Sequence, residues 1–138
     1  MILITTSRRP SRRTRTFIRD LSHVIPGSKR VNRGKKSVED LRALAISEGL
    51  RRILIVGTVK GNPTTLTFLS ALPSGSSYLP LMIWLKGVSL RREMTTKRAP
   101  HSVTMGVAFV GGKMREIAEA FSQGFGVDEA VEIASVEG

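Results

Sequence analysis

Six arginines fall within the thirteen residues Ser7–Arg19: Arg8, Arg9, Arg12, Arg13, Arg15 and Arg19. Pro10 and Ser11 stand among them and read as a helix start, because proline is pre-set for the first turn and a serine hydroxyl can cap a free N–H. A turn entering a helix offers backbone N–H groups and a partial positive charge to an anion. With arginines on both sides, the matching ligand is a phosphate backbone. Further basic side chains follow at Lys29, Arg30, Arg33, Lys35 and Lys36, and again at Arg91, Arg92, Lys97 and Arg98.

Other chemistries find less support. The two histidines, His23 and His101, lie far apart in sequence, and His23 sits on the arginine face of its helix. With no cysteine, thiolate catalysis, disulfides and Cys-based zinc sites are excluded. The glycines of Gly57–Thr64 lack P-loop spacing, and Asn62-Pro63 stands where that loop needs its lysine. Gly106 and Gly111-Gly112 miss the dinucleotide fingerprint, so helix–sheet packing is the better reason for them. No two glycines are placed for a KH clamp, and Gly124-Phe125-Gly126-Val127 lacks the leading basic residue of the RNA-recognition motif. The reading is a non-enzyme with no cofactor and no metal.

Positioning the arginines is the work of an α/β chain. Ile2–Thr5 predicts a strand, and a helix from Ser11 to Ile25 stops at Pro26-Gly27. At 100° per residue, Phe17, Ile18, Leu21, Val24 and Ile25 share one side, while Arg12, Arg15, Arg19 and His23 share the other. Lys29–Asn32 is a short strand and Arg33–Lys36 a basic turn in which Gly34 takes positive φ. Ser37 and Asp40 form a capping box for a helix turning Val38, Leu41, Leu44 and Ala45 inward and closing near Gly49. Ile53–Val56 is a doubly buried strand, Thr65–Leu69 its return, Leu72–Ser77 a loop, and Leu81–Leu85 another buried strand containing Trp84. Residues 89–102 make a long basic connection. Val103–Val110 is a strand, a helix carrying Met114, Ile117, Ala118 and Phe121 inward ends at Gly124, and Val131–Val136 returns as a strand. Phe17, Trp84, Phe109 and Phe121 are placed inward, and Tyr78 and Phe125 in loops. Recognition is therefore expected to be directed at phosphates rather than stacked bases.

The charge balance agrees. The 138 residues carry 22 Lys+Arg against 11 Asp+Glu, a net +11. Residues 1–60 hold 15 basic and 4 acidic side chains, whereas residues 116–138 hold six acidic and none basic. Such asymmetry points to a polyanion-binding face on one part of the molecule. Apolar runs are too short to span a bilayer and no signal-peptide pattern opens the chain, so a soluble, cytoplasmic protein without a membrane partner is expected.

Thr6-Ser7-Arg8 with Pro10-Ser11, then Phe17, Leu21 and Ile25-Pro26, resembles the opening of the Brix domain of ribosome-biogenesis proteins. Arg33-Gly34, the Ser37–Leu41 helix start, Ile53–Val56, Gly61 with Pro63, and Leu72-Pro73 with Gly75 extend the likeness over roughly the first 80 residues. The resemblance implies an archaeal member similar to the Imp-type branch that acts in small-subunit processing. It implies a single domain over 1–138, with halves at 1–78 and 79–138. The implied fold is an α/β two-layer sandwich whose halves are each like the anticodon-binding domain of class IIa aminoacyl-tRNA synthetases. The implied partners are ribosomal RNA or its precursor, with guide RNA and ribosome-assembly proteins beside it. Arg8, Arg9, Ser11, Arg12, Arg15, Arg19, Lys29, Arg30, Arg33, Lys35 and Lys36 are the expected RNA contacts, joined by Arg91, Arg92, Lys97 and Arg98. A tRNA-binding module and a protein-interaction adaptor in ribosome assembly are the alternatives.

Overall fold

Successive apolar residues at Ile2, Leu3 and Ile4 leave the first strand with two faces to bury, and the chain covers both. In a computed structural model that describes residues 2–88, 107–110, 115–125 and 130–133, Ile2–Thr6 form strand β1, all five residues buried. Helix α1 (Arg12–Val24) and strand β2 (Ser28–Arg30) follow, and β2 lies parallel to β1. Helix α2 (Val38–Ser47) leads to strand β3 (Arg52–Val59), parallel to β1 on its other side. Strands β4 (Asn62–Leu72) and β5 (Gly75–Trp84) then add antiparallel, giving a mixed sheet in the order β2-β1-β3-β4-β5.

Two cores result. Ile2, Ile4, Leu54, Val56, Leu66 and Phe68 meet Ile18 and Ile25 of the α1 segment. On the opposite face Leu3, Ile53, Leu69 and Ala71 meet Leu41 and Ala45 of α2. The expected two-layer sandwich is thus corrected to helices on both faces of the sheet, as a doubly apolar β1 and β3 require. Farther along, β6 (Val107–Val110), helix α3 (Arg115–Phe125) and β7 (Ala130–Ile133) form a unit in which β6 and β7 run parallel, the same order as β1-α1-β2. Phe125 docks edge-on against Phe68, ring centroids 5.0 Å apart, bringing α3 to the α1 side.

Local signals decide where α1 and α2 begin. The Ser37 hydroxyl accepts the Asp40 N–H at 3.1 Å, and the Asp40 carboxylate accepts the Ser37 N–H at 2.9 Å. That backbone hydrogen bond, with one from the Ser37 side chain, holds the Asp40 carboxyl below its usual pKa. At α1 the Ser11 hydroxyl accepts the Thr14 N–H at 3.1 Å and also donates to the Gly61 carbonyl at 2.8 Å. Ser11 therefore fastens the start of α1 to the β3–β4 turn, where Lys60 (φ 50°) and Gly61 (φ 79°) have the positive φ pair of a tight hairpin. Ser11→Ala is expected to lower stability by about 1 kcal/mol, typical of a lost N-cap, measurable by urea unfolding.

Several expectations shift. The return strand begins at Asn62 and runs to Leu72, so the loop placed at Leu72–Ser77 shrinks to Pro73-Ser74 between β4 and β5. Tyr78 lies in β5, and the half boundary placed at 78/79 falls inside that strand. Val24 is 43% exposed rather than inward, because it sits at the margin of the apolar stripe beyond half-buried Phe17. Trp84 is 67% exposed: an unbroken apolar run conceals which alternate positions face out, and Tyr78, Met82 and Trp84 do. Phe125 is the last residue of α3, not a loop residue, and Gly124 is buried within that helix. The basic connection 89–102, Met114 and the strand end 134–136 lie outside the described residues.

Candidate nucleic-acid interface

The arginine segment begins where β1 ends. Ser7 donates its N–H to the Val56 carbonyl at 3.0 Å, which ties the first residue after β1 to β3. Arg8 and Arg9 are exposed in the turn that follows, and Arg9 adopts φ 57°, a left-handed conformation unusual for a residue with a Cβ. Thr14, Ile18 and Ile25 hold α1 against the sheet. Rigid attachment on that side leaves Arg12, Arg15 and Arg19 exposed on the other. Arg13 is half-buried and donates to the Val88 carbonyl, so its role is to hold the chain after β5.

A cleft of about 420 Å³ opens past the carboxyl ends of β1 and β2. One wall is Arg9 and Pro10 from the turn with Arg15 and Ile18 from α1. The other is Asn32, Arg33 and Gly34 from the loop after β2, and Thr6 closes the floor between them. The carboxyl ends of parallel strands are where open α/β sheets bind ligands. Arg33 is anchored there by two carbonyls, its Nε donating to Lys36 at 2.7 Å and Nη1 to Thr6 at 3.0 Å. Burial, and then the positive charge of Arg8, lower the pKa of its guanidinium. The structure therefore brings Arg9, Arg15 and Arg33 together from three segments.

The remaining candidates divide. Arg8, Arg12, Arg19, Arg30 and Lys35 are exposed, and among the described residues none of them, nor Arg9, Arg15 or Arg33, forms a salt bridge. Lys36 donates its ammonium to the Asn32 carbonyl at 3.0 Å, bracing the loop that carries Arg33. Lys29 is ion-paired with Glu48 at 2.7 Å on the α2 side of the sheet. Its β2 register partner is Leu3, which faces α2, so Lys29 points away from the α1 stripe. Ser11 is occupied by its cap and by Gly61, as described. Arg91, Arg92, Lys97 and Arg98 lie outside the described residues.

Sequence reasoning missed Thr6 and Asn32 as lining residues. The signal available for Thr6 was its place at the end of an apolar strand, two residues past Ile4 and so on the α1 face. No such signal existed for Asn32, whose position depends on where β2 stops.

No family model matches the chain. It is 36% identical over 138 residues to the "Probable Brix domain-containing ribosomal biogenesis protein" of Methanopyrus kandleri, covering 97% of this chain and 71% of that protein. A protein of the same name from Pyrococcus horikoshii is 47% identical over 97 residues, 70% of this chain and 43% of its own length. The chain spans under half the length of this and the other Pyrococcus and Thermococcus relatives it matches. Among solved structures, a probable ribosomal biogenesis protein from Aeropyrum pernix K1 superposes with a TM-score of 0.74 at 33% identity, over 99% of this chain and 82% of that one. Mil, an archaeal Imp4-like protein, superposes with a TM-score of 0.60 at 26% identity, over 98% and 80% of the two chains.

Proposed function

The chain belongs to the Brix domain-containing ribosomal biogenesis proteins, and from that membership we propose that it is a non-enzymatic RNA-binding factor that holds ribosomal RNA or its precursor during processing or folding. The observation that carries this reading is the set Arg9, Arg12, Arg15, Arg19 and Arg33, which form no salt bridge among the described residues and are fixed to a rigid sheet rather than carried on a loose tail. Charges in fixed positions suit an RNA backbone of defined shape, and their counter-ions are released on binding. Cytoplasmic ribosome assembly, with guide RNA and assembly proteins as further partners, belongs to the same proposal.

The repeated order strand–helix–parallel strand, at β1-α1-β2 and again at β6-α3-β7, supports a reading of one domain built from two halves. Each half would then be comparable to the anticodon-binding domain of class IIa synthetases. That likeness is also what makes tRNA the informative competitor.

The test is affinity for rRNA fragments and for tRNA, each followed as a function of salt. Binding to rRNA is expected to be the tighter, with log affinity falling by about 0.7–0.9 per phosphate contacted for each decade of salt. Equal binding to both at every salt concentration would assign the protein to general polyanion attraction instead.

A further inference from the structure

We propose that the cleft past the carboxyl ends of β1 and β2 is a discrete pocket for one phosphate group, which takes a hydrogen bond from the Thr6 hydroxyl and charge from Arg9, Arg15 and Arg33. The source of the phosphate, an RNA chain, rests on the function proposed above; the pocket's chemistry rests on its own geometry.

The floor of the cleft carries the main evidence. Thr6 is 1% exposed, and its Oγ1 is buried with no hydrogen-bond partner. Its neighbour Thr5 shows the ordinary arrangement, with Oγ1 donating to the Val31 carbonyl at 2.9 Å. A buried hydroxyl left without a partner is uncommon and calls for a reason. Strand alternation turns Thr6 to the same face as Ile2 and Ile4, the α1 face, where Arg15 and Ile18 line the same cleft. Thr6 thus brings an unpartnered hydroxyl to the lining of a cleft that also carries Arg9, Arg15 and Arg33.

The walls are built in advance. Arg33 spends one N–H on the Lys36 carbonyl and one on the Thr6 carbonyl, and a guanidinium has five, so the remainder is held in place for a ligand. Arg9 keeps a left-handed backbone at the rim, and unusual backbone of this kind is frequent at ligand clamps. Among the described residues no carboxylate lines the cleft. The nearby Asp40 feels Arg8 and Lys36, but its carboxylate accepts the Ser37 N–H. The positive charge of Arg8 already bears on the Arg33 guanidinium, and an anion with several acceptor oxygens offsets such repulsion. A volume of about 420 Å³ exceeds what a bare phosphate needs and leaves room for an attached ribose.

The full chain would be titrated with inorganic phosphate against chloride at matched ionic strength, following amide NMR shifts. Saturable shifts at Thr6 and at Arg33–Gly34 are expected. Thr6→Val, which keeps the shape and removes the hydroxyl, should weaken phosphate binding by about tenfold or more, and Thr6→Ser should restore it. Ile46→Ala, at an exposed position of α2 outside the cleft, should leave phosphate binding unchanged. RNA of one sequence bearing a 5′-phosphate or a 5′-hydroxyl then separates the sources. A Thr6-dependent preference for the phosphorylated form places a terminal phosphate in the pocket, and Thr6-dependent but equal binding places an internal one. Non-saturating shifts equal to those of chloride, or undiminished phosphate binding by a folded Thr6→Val protein, would overturn the pocket. Salt-dependent RNA binding that survives such a result would leave the RNA reading standing, while phosphate binding without RNA binding would remove that reading and keep the pocket.

Discussion

Replacing Arg12, Arg15 and Arg19 together by alanine is expected to weaken rRNA binding by about a hundredfold at 0.1 M salt, with the fold retained. Each phosphate contact adds about 0.7–0.9 to the dependence of log affinity on log salt, so three contacts account for a slope of roughly 2–2.7. One decade of salt below 1 M converts that slope into about two decades of affinity. The three side chains are exposed and none belongs to the buried core, so their removal opens no core cavity. Filter binding or fluorescence anisotropy across a salt series, with circular dichroism to check the fold, measures both quantities. A triple variant that binds with the wild-type slope would take the α1 stripe out of the interface.

The largest effect on stability is expected at Phe68. Its side chain is fully buried at the centre of the α1-side core, among Ile18, Leu54, Val56 and Leu66. It also receives the edge of Phe125, whose ring stacks on Phe121 with centroids 6.3 Å apart. Phe68→Ala would therefore leave a cavity in the sheet core and weaken the seat of α3 at the same time. Buried Phe→Ala changes cost about 3–5 kcal/mol. Domains of this size have about 5–15 kcal/mol in total, so such a loss approaches the point of unfolding. Urea denaturation should show the midpoint falling steeply, whereas Ile46→Ala, on an exposed position of α2, should stay within about 0.5 kcal/mol of wild type. A Phe68→Ala protein losing less than 1 kcal/mol would contradict the packing described here. RNA affinity per folded molecule should change little, because Phe68 supports the α1 frame without reaching the cleft.

The parts legible in the sequence are those fixed by neighbours in the chain. The Ser37–Asp40 capping box, the amphipathic split of α1, the β-branched run of β3 and the positive φ of Gly34 each depend on a few adjacent residues. What escaped depends on contacts between distant segments. Lys29 reads as an RNA contact until β2 and α2 bring Glu48 to its ammonium. Ser11 reads as an anion ligand until the β3–β4 turn brings the Gly61 carbonyl to its hydroxyl. Trp84 reads as core because Leu81, Met82, Ile83 and Leu85 around it are apolar, and periodicity fails where both alternating positions are hydrophobic. The arginines themselves were plain, but their grouping was not: Arg9, Arg15 and Arg33 converge only because β2 pairs with β1 and sets the Asn32–Gly34 loop opposite α1.

That the protein holds RNA on the α1 face and the cleft beneath it is tested most directly by ultraviolet crosslinking of the full chain to rRNA, followed by mass-spectrometric mapping of the crosslinked peptides. Crosslinks are expected to concentrate in residues 6–19 and 30–36, with few in α2 and none that depend on Lys29. Crosslinks confined to the α2 side of the sheet, with residues 6–19 unmodified, would contradict it.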